Sequence, residues 1–260
     1  MKIFALLLSI SCALAGEREE YLQLLKDSTL GIAASSKEGE IELVLDPSKI
    51  QEIEKIQKER LLKKGFQEDA AVSFSYVGVV AEDTYWLFIR DAVIFPNGSY
   101  GTYNRLVMKN SLDGPAGCAV LPRDKNGRYY LVLNFRHATR SWEWELARGL
   151  RKKGEKAEDA ALRELHEETG FTAEKCVFLG DMAPDTGSLS TVVPIFLVDC
   201  KSQGKAEVED SEAIVGVYGF TKEELYEGLR KGVMTKGGKK GYLRDAFLTF
   251  ALLQLEVRRA

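Results

Sequence analysis

The chain has 260 residues, 45% of them hydrophobic and 29% charged, which is the balance of a globular protein with room for one generous domain or two small ones. Its net charge of −3 argues against a broad basic surface, so no nucleic-acid partner is expected. A small anionic substrate stays open, because a bound metal ion can supply a local positive field.

In chain order, Lys2 is followed by the apolar run Ile3–Ile10 and then by Ser11-Cys12-Ala13-Leu14-Ala15 before Gly16. This is the layout of a secretory signal peptide with an Ala-x-Ala site, and the run is too short to span a bilayer. Residues 1–15 are therefore expected to be removed, leaving a secreted or periplasmic protein without a membrane segment. If the segment is not a signal, a cytoplasmic location follows. The expected division is a signal at 1–15, a helical extension at 16–70, β-strands at 71–115 and the main domain at 116–260. Beyond the signal, Cys118, Cys176 and Cys200 lie in apolar stretches without close pairing, which predicts burial rather than a disulfide framework or zinc site.

Glu17–Lys26 and Pro47–Lys64 carry apolar residues at three- and four-residue steps and predict helices, with a short strand at Glu40–Leu45 between them. Val72–Val80, Thr84–Phe95 and Tyr103–Lys109 read as strands, the last two joined by a turn at Pro96-Asn97-Gly98. Cys118–Leu121 and Tyr129–Phe135 flank the hairpin signal Asn126-Gly127. A helix then precedes strands at Cys176–Asp181, Val192–Val198 and Ile214–Phe220. Thr221 with Glu224 forms a capping box for a helix to Arg230, and Tyr242–Val257 reads as a closing helix. Strands on either side of one central helix, plus a last packing helix, predict an α/β sandwich.

The central helix carries the chemistry. Glu164, Glu167 and Glu168 stand at i, i+3 and i+4, so three carboxylates crowd one face. Their mutual repulsion destabilises an isolated helix, and a bound divalent cation would remove that cost; hard cations prefer such oxygen ligands. A solvated acidic face is the plainer account of a Glu-rich helix, but it leaves Gly149, Gly170 and Arg163 unexplained.

Residues 149–171 fit Gly-x5-Glu-x7-Arg-Glu-U-x-Glu-Glu-x-Gly-U throughout, with Leu165 and Phe171 at the two apolar U positions. Nine fixed positions in 23 residues make a specific signal, and the segment resembles the box of the Nudix hydrolases. The resemblance extends over roughly residues 72–256 and implies an α/β/α sandwich with a mixed sheet, here with an N-terminal helical and β extension. Upstream, Asn134-Phe135-Arg136-His137 and Glu145-Leu146-Ala147-Arg148-Gly149 are similar to the Tyr-Arg-His and Glu-Leu-Pro-Ala/Arg-Gly motifs of ADP-ribose pyrophosphatases, with Ala147 in place of the usual proline. Residues 88–107 also resemble the N-terminal strands of that group, through which its members pair as homodimers. Pro184-Asp185-Thr186-Gly187-Ser188-Leu189-Ser190 is similar to its Pro-Gly-(Phe/Leu)-Ser loop, with two residues inserted.

The resemblance implies Mg²⁺-dependent (or Mn²⁺-dependent) cleavage of a small-molecule nucleotide diphosphate, with ADP-ribose giving AMP and ribose 5-phosphate as the first reading. Glu164, Glu167, Glu168 and the Arg148 carbonyl would hold the metal. Arg163 would orient a glutamate, and Glu155 would support the loop before the helix. Arg136, Arg140, Glu145, Arg148 and Gly187 would bind substrate. A base is expected from the acidic stretch 207–214, where Glu209 and Glu212 both qualify. Tyr85, Trp86, Trp142 and Trp144 are the aromatics to inspect for base stacking. The alternatives are hydrolysis of another nucleotide diphosphate, such as a nucleoside diphosphate sugar or dinucleotide, and a non-catalytic nucleotide-binding module. The intact glutamates disfavour the second.

Overall fold

The computed structural model describes residues 17–209 and 212–258, and the expected signal segment lies outside them. The chain divides into two compact units, one of residues 1–113 with 185–190, the other of residues 114–184 with 191–260.

In the first unit, helix α1 covers residues 17–27 and α2 runs Pro47–Lys63. Asp46 caps α2 by accepting from the Lys49 amide at 2.8 Å, and Pro47 begins the first turn, where its missing N–H costs nothing. Strands β1 (Glu42–Leu43) and β2 (Gly78–Glu82) share one edge of β3 (Trp86–Ile94), and β4 (Tyr100–Met108) takes the other, all antiparallel. Tyr21 and Leu25 of α1, Ile50 and Ile53 of α2, and Ile89 and Val107 of the sheet form one core. Within it the Tyr21 hydroxyl donates to Asp91 at 2.7 Å, and Arg105 closes on the same carboxylate at 2.6 and 3.0 Å, so the buried charge is paired and bonded.

The strand expected from Val72 onward is a correction. Residues Glu68–Ser75 form helix α3, and extended chain begins only at Gly78. Glu68 and Asp69 sit in the first turn, where acids favour a helix, and Ala71 and Ser75 are buried while Val72 and Phe74 stay exposed. The β-branched look of the segment loses to burial at a four-residue spacing.

The second unit is built on a nine-stranded mixed sheet. Its strands are β5 (Gly117–Arg123), β6 (Tyr129–Arg136), β7 (Ser141–Glu145), β8 (Ala147–Leu150), β9 (Phe171–Met182), β10 (Val193–Gln203), β11 (Ile214–Phe220), β12 (Val233–Lys236) and β13 (Lys239–Tyr242). The main path runs β12-β13-β7-β6-β5-β10-β9, with β11 on β6 and β8 on β5. The β10–β5 and β13–β7 pairs are parallel. Helix α4 (Ala157–Thr169) packs Ala160, Ala161 and Leu165 against Cys118, Val120 and Val198. Helices α5 (Lys222–Lys231) and α6 (Ala246–Val257) join a separate core with Leu131, Trp144 and Leu197. Alternate residues of the strands point to opposite faces, so the two cores mark an α/β/α sandwich.

The closing helix begins four residues later than the apolar run suggests. Gly237 and Gly238, at φ 56° and 73°, turn β12 into β13, and Tyr242 pairs with Glu143. Asp245 then caps α6 through the Phe247 amide. Among the described residues the cysteines are free thiols, with Cys118 and Cys200 buried and Cys176 half-buried. Among the described residues no helix is long and apolar enough to cross a membrane.

Candidate active site

Strand β8 runs beside β5 and delivers the chain through a short loop into α4. The glycine opening this passage has a steric duty. A β-carbon on Gly149 would collide with the Glu164 carboxylate, and one on Gly117 would collide with the Gly149 carbonyl. Two glycines on paired strands thus let the helix carboxylate lie directly on the sheet. At the far end Gly170 adopts φ 70° and donates to the His166 carbonyl at 2.8 Å, ending the helix as expected.

Arg163 organises the glutamates. It donates to Glu164 at 2.6 Å, to Glu167 at 2.8 Å, to both oxygens of Glu155 at 3.0 and 3.1 Å, and to the Leu150 carbonyl at 2.9 Å. Glu155 also accepts from the Lys152 amide at 2.8 Å, so it ties the loop to the helix. The Arg163 bond is the main reason its carboxyl lies below the ordinary range. Arg151, a position the box pattern does not fix, is buried and donates to the carbonyls of Pro115 and Glu155 at 2.7 and 3.1 Å.

Glu168 is different in kind. It is 1% exposed, accepts the Arg148 amide at 3.3 Å on one oxygen, and has no hydrogen-bond donor for Oε1. Burial, with Glu212 and Glu164 nearby, pushes its carboxyl up to about 9. Its neighbour Glu212 is raised as well, first by its own burial, and the two carboxyls stand close enough to share a proton. Burial likewise raises Glu164. With all three ionised, three negative charges gather with Arg163 bonded to Glu164 alone among them, so the charge at Glu168 is the least offset, the electrostatic condition a bound cation relieves.

The loop that carries Glu212 is strapped to the helix end. The Gly204 amide donates to the Gly170 carbonyl and the Glu207 amide to the Glu167 carbonyl, both at 2.7 Å. The Glu212 amide donates to the Glu209 carbonyl at 3.0 Å. Glu209 is exposed and contributes to raising Glu212, while Glu212 itself is the one placed beside Glu168. Among the described residues no three acidic, His or Cys side chains form a preassembled cation cage, for Arg163 bridges Glu164 and Glu167. The donor set still fits a hard divalent cation, because a buried carboxylate oxygen without a donor lies beside two further carboxylates.

A pocket of about 380 Å³ opens on the same unit. Glu145 forms its floor, 4% exposed, between Arg136 at 2.7 Å and Arg148 at 2.6 Å. Burial raises Glu145 despite both arginines. Asp245 takes the Leu146 amide at 3.0 Å and a long bond from Arg148 at 3.3 Å. The Arg148 guanidinium lies over the Phe247 ring, 4.9 Å from its centre. Arg140 is exposed at φ 53°, with its guanidinium over Phe135 and beside His137, and it is not among the pocket-lining residues. Gly187 belongs to the other unit, where its carbonyl accepts the Tyr103 hydroxyl at 2.9 Å.

None of the four inspected aromatics lines this pocket. Trp144 is fully buried, edge-on to Tyr218 and Phe220, with its indole donating to the Met234 carbonyl. Trp142 packs on Phe135, and Tyr85 and Trp86 sit in the other unit. Phe247, Arg244 and Glu143 take the pocket positions instead. Strand alternation could have found Glu143, two residues before Glu145 and so on the same face. Arg244 and Phe247 lay hidden in a segment read as plain helix.

Comparison with known proteins agrees with this geometry. Residues 114–237 match the NUDIX domain. It is 32% identical to an ADP-ribose pyrophosphatase of Bacillus subtilis over 130 residues, which cover 49% of this chain and 66% of the relative. Against an ADP-ribose pyrophosphatase of Mycobacterium tuberculosis it is 29% identical over 126 residues, 48% of this chain and 58% of the relative. The matched stretches thus span less than two thirds of those relatives' lengths. A crystal structure described as an ADP compounds hydrolase shares the fold, with a TM-score of 0.56 at 21% identity, over 70% of this chain and 91% of that one.

Proposed function

We propose that this chain hydrolyses the diphosphate linkage of a nucleoside diphosphate derivative, with ADP-ribose, cut to AMP and ribose 5-phosphate, as the first substrate. The observation that carries the reading is the buried, donor-less oxygen of Glu168, set beside Glu164 and Glu212 on the Nudix helix. The Bacillus and Mycobacterium relatives support the substrate. Glu164, Glu167, Glu168 and the Arg148 carbonyl would hold Mg²⁺ or Mn²⁺, which when bound offsets the diphosphate charge and acidifies water.

The chain's own groups do the rest. Arg163 keeps Glu164 and Glu167 in register, and Arg136 offers a guanidinium suited to phosphate oxygens. Of the two candidate bases we favour Glu212, whose carboxyl is raised toward the working range of a general base and whose place is at Glu168 rather than in open solvent. Removal of Met1–Ala15 on export and pairing of two copies through the N-terminal strands belong to the same proposal. N-terminal sequencing of native protein and light scattering test them.

A panel of ADP-ribose, NADH, diadenosine polyphosphates and UDP-sugars with Mg²⁺, read by product chromatography, tests the activity. ADP-ribose should lead in kcat/KM, and excess EDTA should abolish turnover. A preference of tenfold or more for another substrate, about 1.4 kcal/mol, overturns the choice of ADP-ribose and leaves diphosphate hydrolysis standing.

A further inference from the structure

The rim of the 380 Å³ pocket holds a polar group that the box chemistry does not use. Arg244 lies two residues beyond the end of β13. Its Nε and Nη2 donate to Glu143 at 3.2 and 2.6 Å, and Nη2 also reaches the Ser141 hydroxyl at 3.1 Å. Its guanidinium stacks on Tyr242, 4.4 Å from the ring centre. These bonds leave Nη1 without a partner among the described residues, on a side chain that is 52% exposed. Glu143 is 7% exposed and also accepts the hydroxyls of Ser141 at 2.6 Å and Thr139 at 3.0 Å. Its burial is outweighed by the bonds from Arg244, Ser141 and Thr139, so it remains a charged acceptor.

Resting on the proposed diphosphate reading, we infer that Arg244 and Glu143 form a subsite for the sugar on the side of the diphosphate away from the base, and recognise it through its hydroxyls. A bare arginine would suit phosphate. An arginine paired with a fixed carboxylate is locally neutral and repels a second phosphate through Glu143, while vicinal hydroxyls can accept from the one and donate to the other. Met182, Pro184 and Phe247 supply the apolar wall that a sugar's C–H face needs. A stacked base fits worse, since the one lining aromatic, Phe247, already carries the Arg148 guanidinium. The spacing agrees as well. Glu143 and Glu145 are two residues apart on β7, about 7 Å, so the subsite lies roughly one sugar ring from the arginines gathered on Glu145.

The test uses the full chain and its R244A and R244K variants, with unchanged Tm as the folding control. Calorimetric titration with ribose 5-phosphate and with AMP reads binding independently of turnover. R244A should weaken ribose 5-phosphate at least tenfold more than AMP, and R244K, which keeps the charge but loses the fork, should restore only part. In kinetics, the loss of kcat/KM on ADP-ribose should exceed the loss on ADP, which lacks the second sugar, by the same factor. A smaller difference in the titrations, or no ribose 5-phosphate binding to the unmodified chain, overturns the subsite. Failure of the unmodified chain to cleave ADP-ribose instead overturns the substrate reading, and the titrations still decide the subsite.

Discussion

Gly149 and Glu164 lie so close that no side chain fits between them, since a β-carbon on the glycine would overlap the carboxylate. Gly149 is not among the residues at positive φ, so the constraint is space and not backbone conformation. Gly149→Ala must therefore move Glu164 or open the β8–α4 contact. Its kcat should fall by roughly tenfold or more, about 1.4 kcal/mol in the barrier, with a matching rise in the Mg²⁺ needed for half-maximal rate. Unaltered metal dependence in that variant would separate the glycine from the glutamate.

Glu168→Gln should have two effects of opposite sign. Losing the charged oxygen should lower kcat by roughly 10² or more if metal activation carries the step. In metal-free protein the same change should stabilise. A carboxyl that stays protonated to about pH 9 when folded, but ionises near 4.3 when unfolded, gives an unfolded state that binds fewer protons over that window. Stability of the unmodified chain then falls as pH rises from about 4.3 to about 9, and the glutamine variant escapes the loss. The gain should be of order 3–4 kcal/mol near neutral pH, since each pH unit above the unfolded pKa costs the unmodified chain about 1.4 kcal/mol. Thermal melts in EDTA across pH read it, and a flat difference between the two proteins would refute it.

Arg163 and Glu155 should behave as one unit. A lysine at 163 keeps the charge but cannot reach Glu155, Glu164, Glu167 and the Leu150 carbonyl together. A double-mutant cycle with Arg163→Lys and Glu155→Gln, measured on kcat/KM, should give a coupling of about 1 kcal/mol, within the range for residues of one network. Additive losses would assign Glu155 to the surface.

Arg136→Ala should mainly weaken substrate binding. Arg148 still holds Glu145 after the change, so the pocket floor survives. The loss in kcat/KM should amount to about 1.5–3 kcal/mol, as for a charged hydrogen bond. A variant as active as its parent would remove Arg136 from the diphosphate contacts.

Helix α4 was legible from residues alone because the box pattern fixes side-chain types at fixed spacing. Glu164, Glu167, Glu168, Arg163 and both glycines had only one geometry in which to make sense together. Glu212 and Glu209 could be narrowed no further, because the choice depends on how a loop docks on the helix, which no local pattern encodes. Arg244 escaped for a related reason. The apolar run from Tyr242 reads as helix, and only the Gly237-Gly238 turn and the Asp245 cap reveal that β13 delivers the arginine to the pocket. Helix α3 was misread because Val72 and Phe74, strand-like in type, are the residues left exposed.

The two 2.7 Å bonds from Gly204 and Glu207 onto the carbonyls of Gly170 and Glu167 turn the end of α4 into a latch with its own readout. While the loop rests there, both amides are bonded to helix carbonyls, and any opening of it would expose both to exchange together. Hydrogen exchange at these two positions would therefore time the approach of Glu212 to Glu168 without any substrate, and a substrate that needs the loop closed must slow both by the same factor.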